Sequence, residues 1–130
     1  MTTLKVFWAR PYRTHKSSTP KISVKKQFGY INQPFAELAK KEGVRIALGV
    51  DSPANPMALY IVFVNGKMEN SWKLSPNKKG GAQFSSRGFR SEYPKAARLL
   101  DQIGRPIEVG LSADDIKDYE GTNVFVAKLQ

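Results

Sequence analysis

The chain has 130 residues with 21 Lys and Arg against 11 Asp and Glu, a formal charge of +10, and no cysteine. That length fits one domain, or two small halves sharing a core, with enough burial to need no covalent staple. Disulfides and thiolate metal sites are excluded, and a reducing compartment is consistent with this composition.

The charge is unevenly spread. Residues 1–26 carry seven basic and no acidic residues, and residues 67–98 carry eight basic against two acidic. Residues 99–130 reverse the balance, with three basic against six acidic. Clustered positive charge points to a polyanion. The longest apolar run, Met57 to Val64, is far short of the roughly 20 residues of a membrane span. The N-terminal residues include no apolar core of a secretory signal, so the expected location is cytoplasmic, in a bacterium or a phage-infected cell.

In chain order, Leu4 to Trp8 can start a short strand. The stretch Arg10 to Pro20 has turn chemistry, no apolar period and three fixed cations, Arg10, Arg13 and Lys16. It reads as an extended arm, of the kind that tracks phosphates in DNA-binding proteins. Trp8 is expected to pack rather than stack, given the apolar area of an indole. Lys21 to Lys25 alternates polar and apolar residues and predicts a half-buried strand. Lys25-Lys26 leads through Gly29 into Tyr30-Ile31. Asn32 is a good helix N-cap, Pro34 falls in the first turn, and Phe35, Leu38 and Ala39 share one face before the stop at Gly43. Val44 to Val50 alternates as a strand, 51–56 is a loop, and Leu59 to Val64 is the most buried strand candidate. Asn65-Gly66 predicts a type I′ hairpin into Lys67-Met68-Glu69.

The second half repeats this order. Ser71 to Ser75 predicts a strand, Pro76 to Gly81 a basic turn, and Gln83 to Ser85 a short strand. One helix is expected from Ser91 to Ile103, capped by Ser91 or Ser86, with Pro94 in an early turn and Gly104 as the stop. Pro106 to Leu111 and Val124 to Leu129 predict strands, with a helical turn at Ser112 to Asp115 between them. The expected organisation is a basic arm, 1–20, and one α+β domain, 21–130, made of two halves, 21–66 and 71–130. Two similar strand-helix-strand halves would surround a shared, mostly antiparallel sheet or small β-barrel with two helices.

The stretch Tyr30-Ile31-Asn32-Gln33-Pro34-Phe35-Ala36-Glu37-Leu38-Ala39-Lys40-Lys41-Glu42-Gly43-Val44-Arg45-Ile46 resembles AbrB-type swapped-hairpin barrel proteins, the transition-state regulators and antitoxins. From about Pro20 the chain also resembles small, functionally unassigned bacterial and phage proteins with two such units. It departs from them where Asn32-Gln33 precede Pro34 and in a longer second helix. The resemblance implies DNA binding through basic strands or loops at one face of a barrel.

No catalytic constellation stands out. His15 has no triad or zinc partners and reads as an ordinary arm residue. Asp114, Asp115, Asp118 and Glu120 lack EF-hand spacing and read as a solvated acidic face rather than a cation site. Lys78-Lys79-Gly80-Gly81 lacks the Walker A spacing and reads as a hairpin turn. The chain is therefore expected to be non-enzymatic, without cofactor or metal, and to bind nucleic acid, DNA in the first place. The phosphate contacts are assigned to Arg10, Arg13, Lys16, Lys25, Lys26, Lys78, Lys79, Arg87 and Arg90. Phe28 and Phe89, in turns, are the stacking candidates, whereas Tyr30 and Phe84 read as strand core. The competing class is a protein-interaction module, such as a phage-encoded inhibitor or virion component. No membrane is expected as partner, and a homodimer is left open.

Overall fold

A computed structural model of the chain describes residues 19–42, 45–65, 71–112 and 123–129. The arm with Trp8, Arg10, Arg13, His15 and Lys16, the strand at 67–69, and the acidic residues 114–120 lie outside the described residues. The strands are β1 (Lys21–Val24), β2 (Phe28–Ile31), β3 (Arg45–Val50), β4 (Ala58–Val64), β5 (Trp72–Lys73), β6 (Ser75–Pro76), β7 (Ala82–Ser85), β8 (Ile107–Glu108), β9 (Gly110–Leu111) and β10 (Val124–Lys128). The helices are α1 (Gln33–Glu42), α2 (Arg87–Glu92) and α3 (Pro94–Ile103).

Among the described residues the fold is α+β with two five-stranded sheets, ordered β6-β7-β2-β1-β8 and β5-β3-β4-β10-β9. The strand pairs within them are antiparallel. In place of the one shared sheet or small β-barrel expected from the sequence, the described strands form two sheets without a closed barrel. Ser71 to Ser75 and Pro106 to Leu111, each read as one strand, break at one residue and change sheets there. Leu74 lies between β5 and β6, and Val109 between β8 and β9. Both side chains join the core, so an apolar residue turns each corner. The Val109 amide donates to the Pro20 carbonyl at 2.9 Å.

Alternation sets what each strand buries. On β1, Ile22 and Val24 point into the core, and Lys21 and Ser23 are half-buried on the opposite face. On β4, Leu59, Ile61 and Phe63 join the main core while Val62 and Val64 form a separate cluster with Val124 on the other face. Phe35 enters between Phe63 and Phe125, with ring centroids 4.9 and 5.2 Å away in edge-to-face arrangements. These contacts tie α1 to the second sheet.

Asn32 caps α1 as its sequence position predicts. Its Oδ1 accepts from the amides of Phe35 at 3.3 Å and Lys21 at 2.9 Å, and its Nδ2 donates to the Thr19 carbonyl at 2.8 Å. One side chain thus fixes the helix start and the entry to β1. The second helix differs from expectation. It begins at Arg87, breaks at Tyr93 and resumes at Pro94. A residue before proline is pushed away from the helical region, and Tyr93 sits at φ −124°, ψ 70°. Ser86, in the capping position, makes no side-chain cap bond.

The β2–β7 pair is the closest approach in the first sheet. Gly29 is paired with Phe84, and the ring lies over the glycine. A Cβ at position 29 would come under 3.0 Å from three Phe84 ring carbons. Gly29→Ala is therefore expected to cost about 1–3 kcal/mol through overpacking and to lower Tm by several degrees. Adding Phe84→Leu should recover part of that loss, so the double variant is less destabilised than the sum of the two. Thermal unfolding of the three variants measures it, and strict additivity would contradict the contact.

Candidate functional site

The two basic turns do not sit side by side. In the β2–β7 register Phe28 faces Ser85 and Ile31 faces Ala82. The Lys25-Lys26 turn therefore lies at the Ser85 end and the Lys78-Lys79 turn at the Ile31 end. Three residue steps of extended strand, about 10 Å, separate the ends of this ladder. What joins the turns is the outer face of the sheet. A concave surface of about 600 Å³ is lined by Lys21, Ser23, Lys25, Tyr30, Lys78 and Lys79, with Asn32 and Asn77 at its edge. Four lysines thus line it, and none of its lining residues is a carboxylate.

Each turn is held by one polar side chain. Ser86 is fully buried; its Oγ donates to the Lys25 carbonyl at 2.6 Å and its amide donates to the Gln27 carbonyl at 3.1 Å. The hydroxyl that would have capped α2 is spent on fixing the first basic turn. Asn77 orders the second. Its Oδ1 accepts from the amides of Lys79 at 3.0 Å and Gly81 at 3.1 Å. A Cβ at Gly81 would overlap the Ile31 carbonyl oxygen, so glycine lets this turn close on the end of β2. Lys25 leans over Tyr30, with Nζ 5.7 Å from the ring centroid.

The assigned residues divide accordingly. Lys25, Lys26, Lys78, Lys79 and Arg87 are exposed. Arg87 follows Ser86 directly, at the Lys25-Lys26 end. Arg90 does not serve as a free cation. Its guanidinium donates to both oxygens of Asp101, at 3.0 and 2.6 Å, and its side chain is only 15% exposed. Phe89 is corrected as a stacking candidate: it is 1% exposed and packs in the core, 5.4 Å from the Tyr93 ring. The short helix α2 turns it inward, where a loop would have left it outside. Phe28 is 42% exposed. Phe84 is buried, whereas Tyr30 is half-buried and faces the groove. Sequence reasoning overlooked Lys21 and Ser23 as groove residues, although the alternation of Lys21 to Lys25 sets them on one face with Lys25.

A second depression, of about 870 Å³, runs along the β8–β9 corner and shares Lys21 and Pro106 with the first. It adds Arg105 and Lys128 but also Glu108, the cross-strand partner of Lys21. Among the described residues no group of three or more His, Cys, Asp or Glu side chains gathers as a metal site. No helix among them is long and apolar enough to cross a membrane.

The hydrogen bonds from Arg90 hold the Asp101 carboxyl below the ordinary carboxylate range; desolvation opposes them, and the charges of Arg90 and Lys26 add smaller contributions in the lowering direction. The pair joins α2 to α3 beside the first basic turn. A depressed carboxylate stabilises the fold fully above its unfolded pKa and loses that contribution as pH falls through the folded value. Asp101→Asn should therefore cost about 0.5–1 kcal/mol at neutral pH, since Asp101 is half exposed and screened. The difference from the parent should shrink as pH is lowered from about 4. Denaturant unfolding at pH 7 and at pH 3 measures both, and a gap that widened in acid would contradict the assignment.

Comparison with protein-family models, with curated proteins and with solved structures finds no match for this chain.

Proposed function

We propose that the protein is a non-enzymatic nucleic-acid-binding domain that holds phosphates across the outer face of its first sheet. The observation that carries this reading is the concave surface lined by Lys21, Lys25, Lys78 and Lys79 without an acidic neighbour in its lining. A groove lined by four lysines and no carboxylate, with its turns already fixed by Ser86 and Asn77, suits a polyanion, although Glu108 stands beside Lys21 at its margin. Lys26 and Arg87 extend it at one end.

The proposal includes a fold made of two related halves of the swapped-hairpin type, and the strand pairing supports it. Exchanging β1 with β5–β6, β2 with β7, β3 with β8–β9 and β4 with β10 maps every strand pair onto another pair or onto itself. The β2–β7 and β4–β10 ladders would lie on the exchange axis. The two basic turns are then equivalent positions of the two halves, which gives them a common origin at opposite ends of one groove.

Four to six engaged phosphates give a slope of log K against log salt concentration of about −3 to −5. Replacing Lys78 and Lys79 together by alanine should make that slope shallower by about 1.5–2, with little change in Tm because both residues are exposed. Fluorescence anisotropy with a labelled oligonucleotide over a salt series measures both. Binding independent of salt, or capture of a partner that survives nuclease treatment, would reject the reading in favour of a protein-interaction module.

A further inference from the structure

Two aromatic side chains stand on the same outward face as the lysines. Phe28 and Tyr30 are two residues apart on β2, so their side chains point to the same side and are spaced by about 7 Å along the strand. That is close to twice the stacking repeat of about 3.4 Å per nucleotide. Phe28 is 42% exposed, an unusual position for a phenylalanine, next to the Lys25-Lys26 turn. On β7 its partner is Ser85, a small exposed residue. Tyr30 lines the groove itself, with the Lys25 ammonium above its ring.

A duplex buries the faces of its bases in its own stack, so an exposed ring reaches one only at the cost of unstacking a base step. An unpaired strand presents both backbone charge and base faces, and this surface carries the complement of both within a few residues. The lysines that line the groove come from strands and hairpin turns of one sheet. No helix places them; a two-stranded ribbon can also enter a major groove, so it is the aromatic side chains beside the lysines that favour a single strand. The aromatic-plus-lysine sheet is the arrangement by which single strands are held without a fixed sequence.

We infer that the groove takes single-stranded nucleic acid, with Phe28 stacking on a base and Lys21, Lys25, Lys78 and Lys79 following the backbone. This rests on the polyanion reading above and deepens it. When a base reaches Tyr30, Lys25 swings from the ring to a phosphate, exchanging a cation–π contact for an ion pair.

The test is competition between a labelled oligothymidylate and a random-sequence duplex of the same length at one salt concentration, with heparin as the polyanion control. The single strand should bind at least about ten times more tightly than the duplex. Phe28→Ala should weaken single-strand binding about five- to a hundred-fold. It should leave heparin affinity and the salt slope unchanged, and Phe28→Trp should restore binding. Equal or tighter duplex binding, or an unaffected Phe28→Ala variant, overturns the single-strand inference while leaving the polyanion reading in place. Failure to bind heparin and both nucleic acids removes the polyanion reading and this inference with it.

Discussion

The first sheet depends on the absence of a side chain at Gly29. Phe84 spans the β2–β7 ladder because nothing stands between its ring and the backbone of the opposite strand. That ladder joins the β1–β2 hairpin to the β6–β7 hairpin, and each hairpin carries one pair of adjacent lysines. Antiparallel pairing then leaves no freedom in where the lysines go. The turn before β2 and the turn before β7 must fall at opposite ends of the ladder, with the outer face of the sheet between them. A packing contact in the core thus determines the spacing of charge on the surface.

The turns are also stiff, for different reasons. The Lys25-Lys26 turn is held from outside its own hairpin, by a buried serine 61 residues along the chain from Lys25. The Lys78-Lys79 turn is held from within, by an asparagine that accepts two backbone amides. An unmade bond at Ser86 would leave the Lys25 carbonyl without that partner, at a cost of about 1–3 kcal/mol if the carbonyl stays dry. Binding by lysines on fixed turns needs only the side chains to be ordered, and the backbone entropy has already been lost on folding. Arg90 is the counterexample within the same neighbourhood. It is basic and close to the first turn, but its guanidinium is taken by Asp101, and its role is to hold α2 against α3.

Much of the fold was legible from local pattern. The alternation of Lys21 to Lys25, the Asn32 cap and the buried run before Asn65 each correspond to an observed element, because each depends on neighbours in sequence. The corners at Leu74 and Val109 were not legible. A strand that changes sheets in mid-course keeps its alternating pattern, and only its partners, far away in sequence, reveal the bend. The break at Tyr93 was legible in principle from Pro94, yet the apolar stripe running on to Ile103 obscured it. For the site, residue type identified the lysines but not their company. Arg90 and Phe89 look as available as Arg87 and Phe28 in the sequence. A helix beginning at Arg87 instead of Ser91 turns Phe89 into the core and brings Arg90 to Asp101, and only the tertiary structure separates the two pairs.

The contact between Lys25 and Tyr30 sets a charge over the outer face of the first sheet. A cation over an exposed ring contributes about 0.5–1 kcal/mol. That is enough to bias an otherwise free lysine toward the groove and too little to keep it from a phosphate. Without the ring, the ammonium would sample the solvent around an exposed turn, and binding would have to order it from the start. With the ring, the charge already stands over the groove, and on the proposed function a move to a phosphate would replace a weak attraction with a stronger one. Phe28 lies outside the groove lining and is 42% exposed. The same strand therefore carries one half-buried aromatic beneath a lysine and one that is exposed.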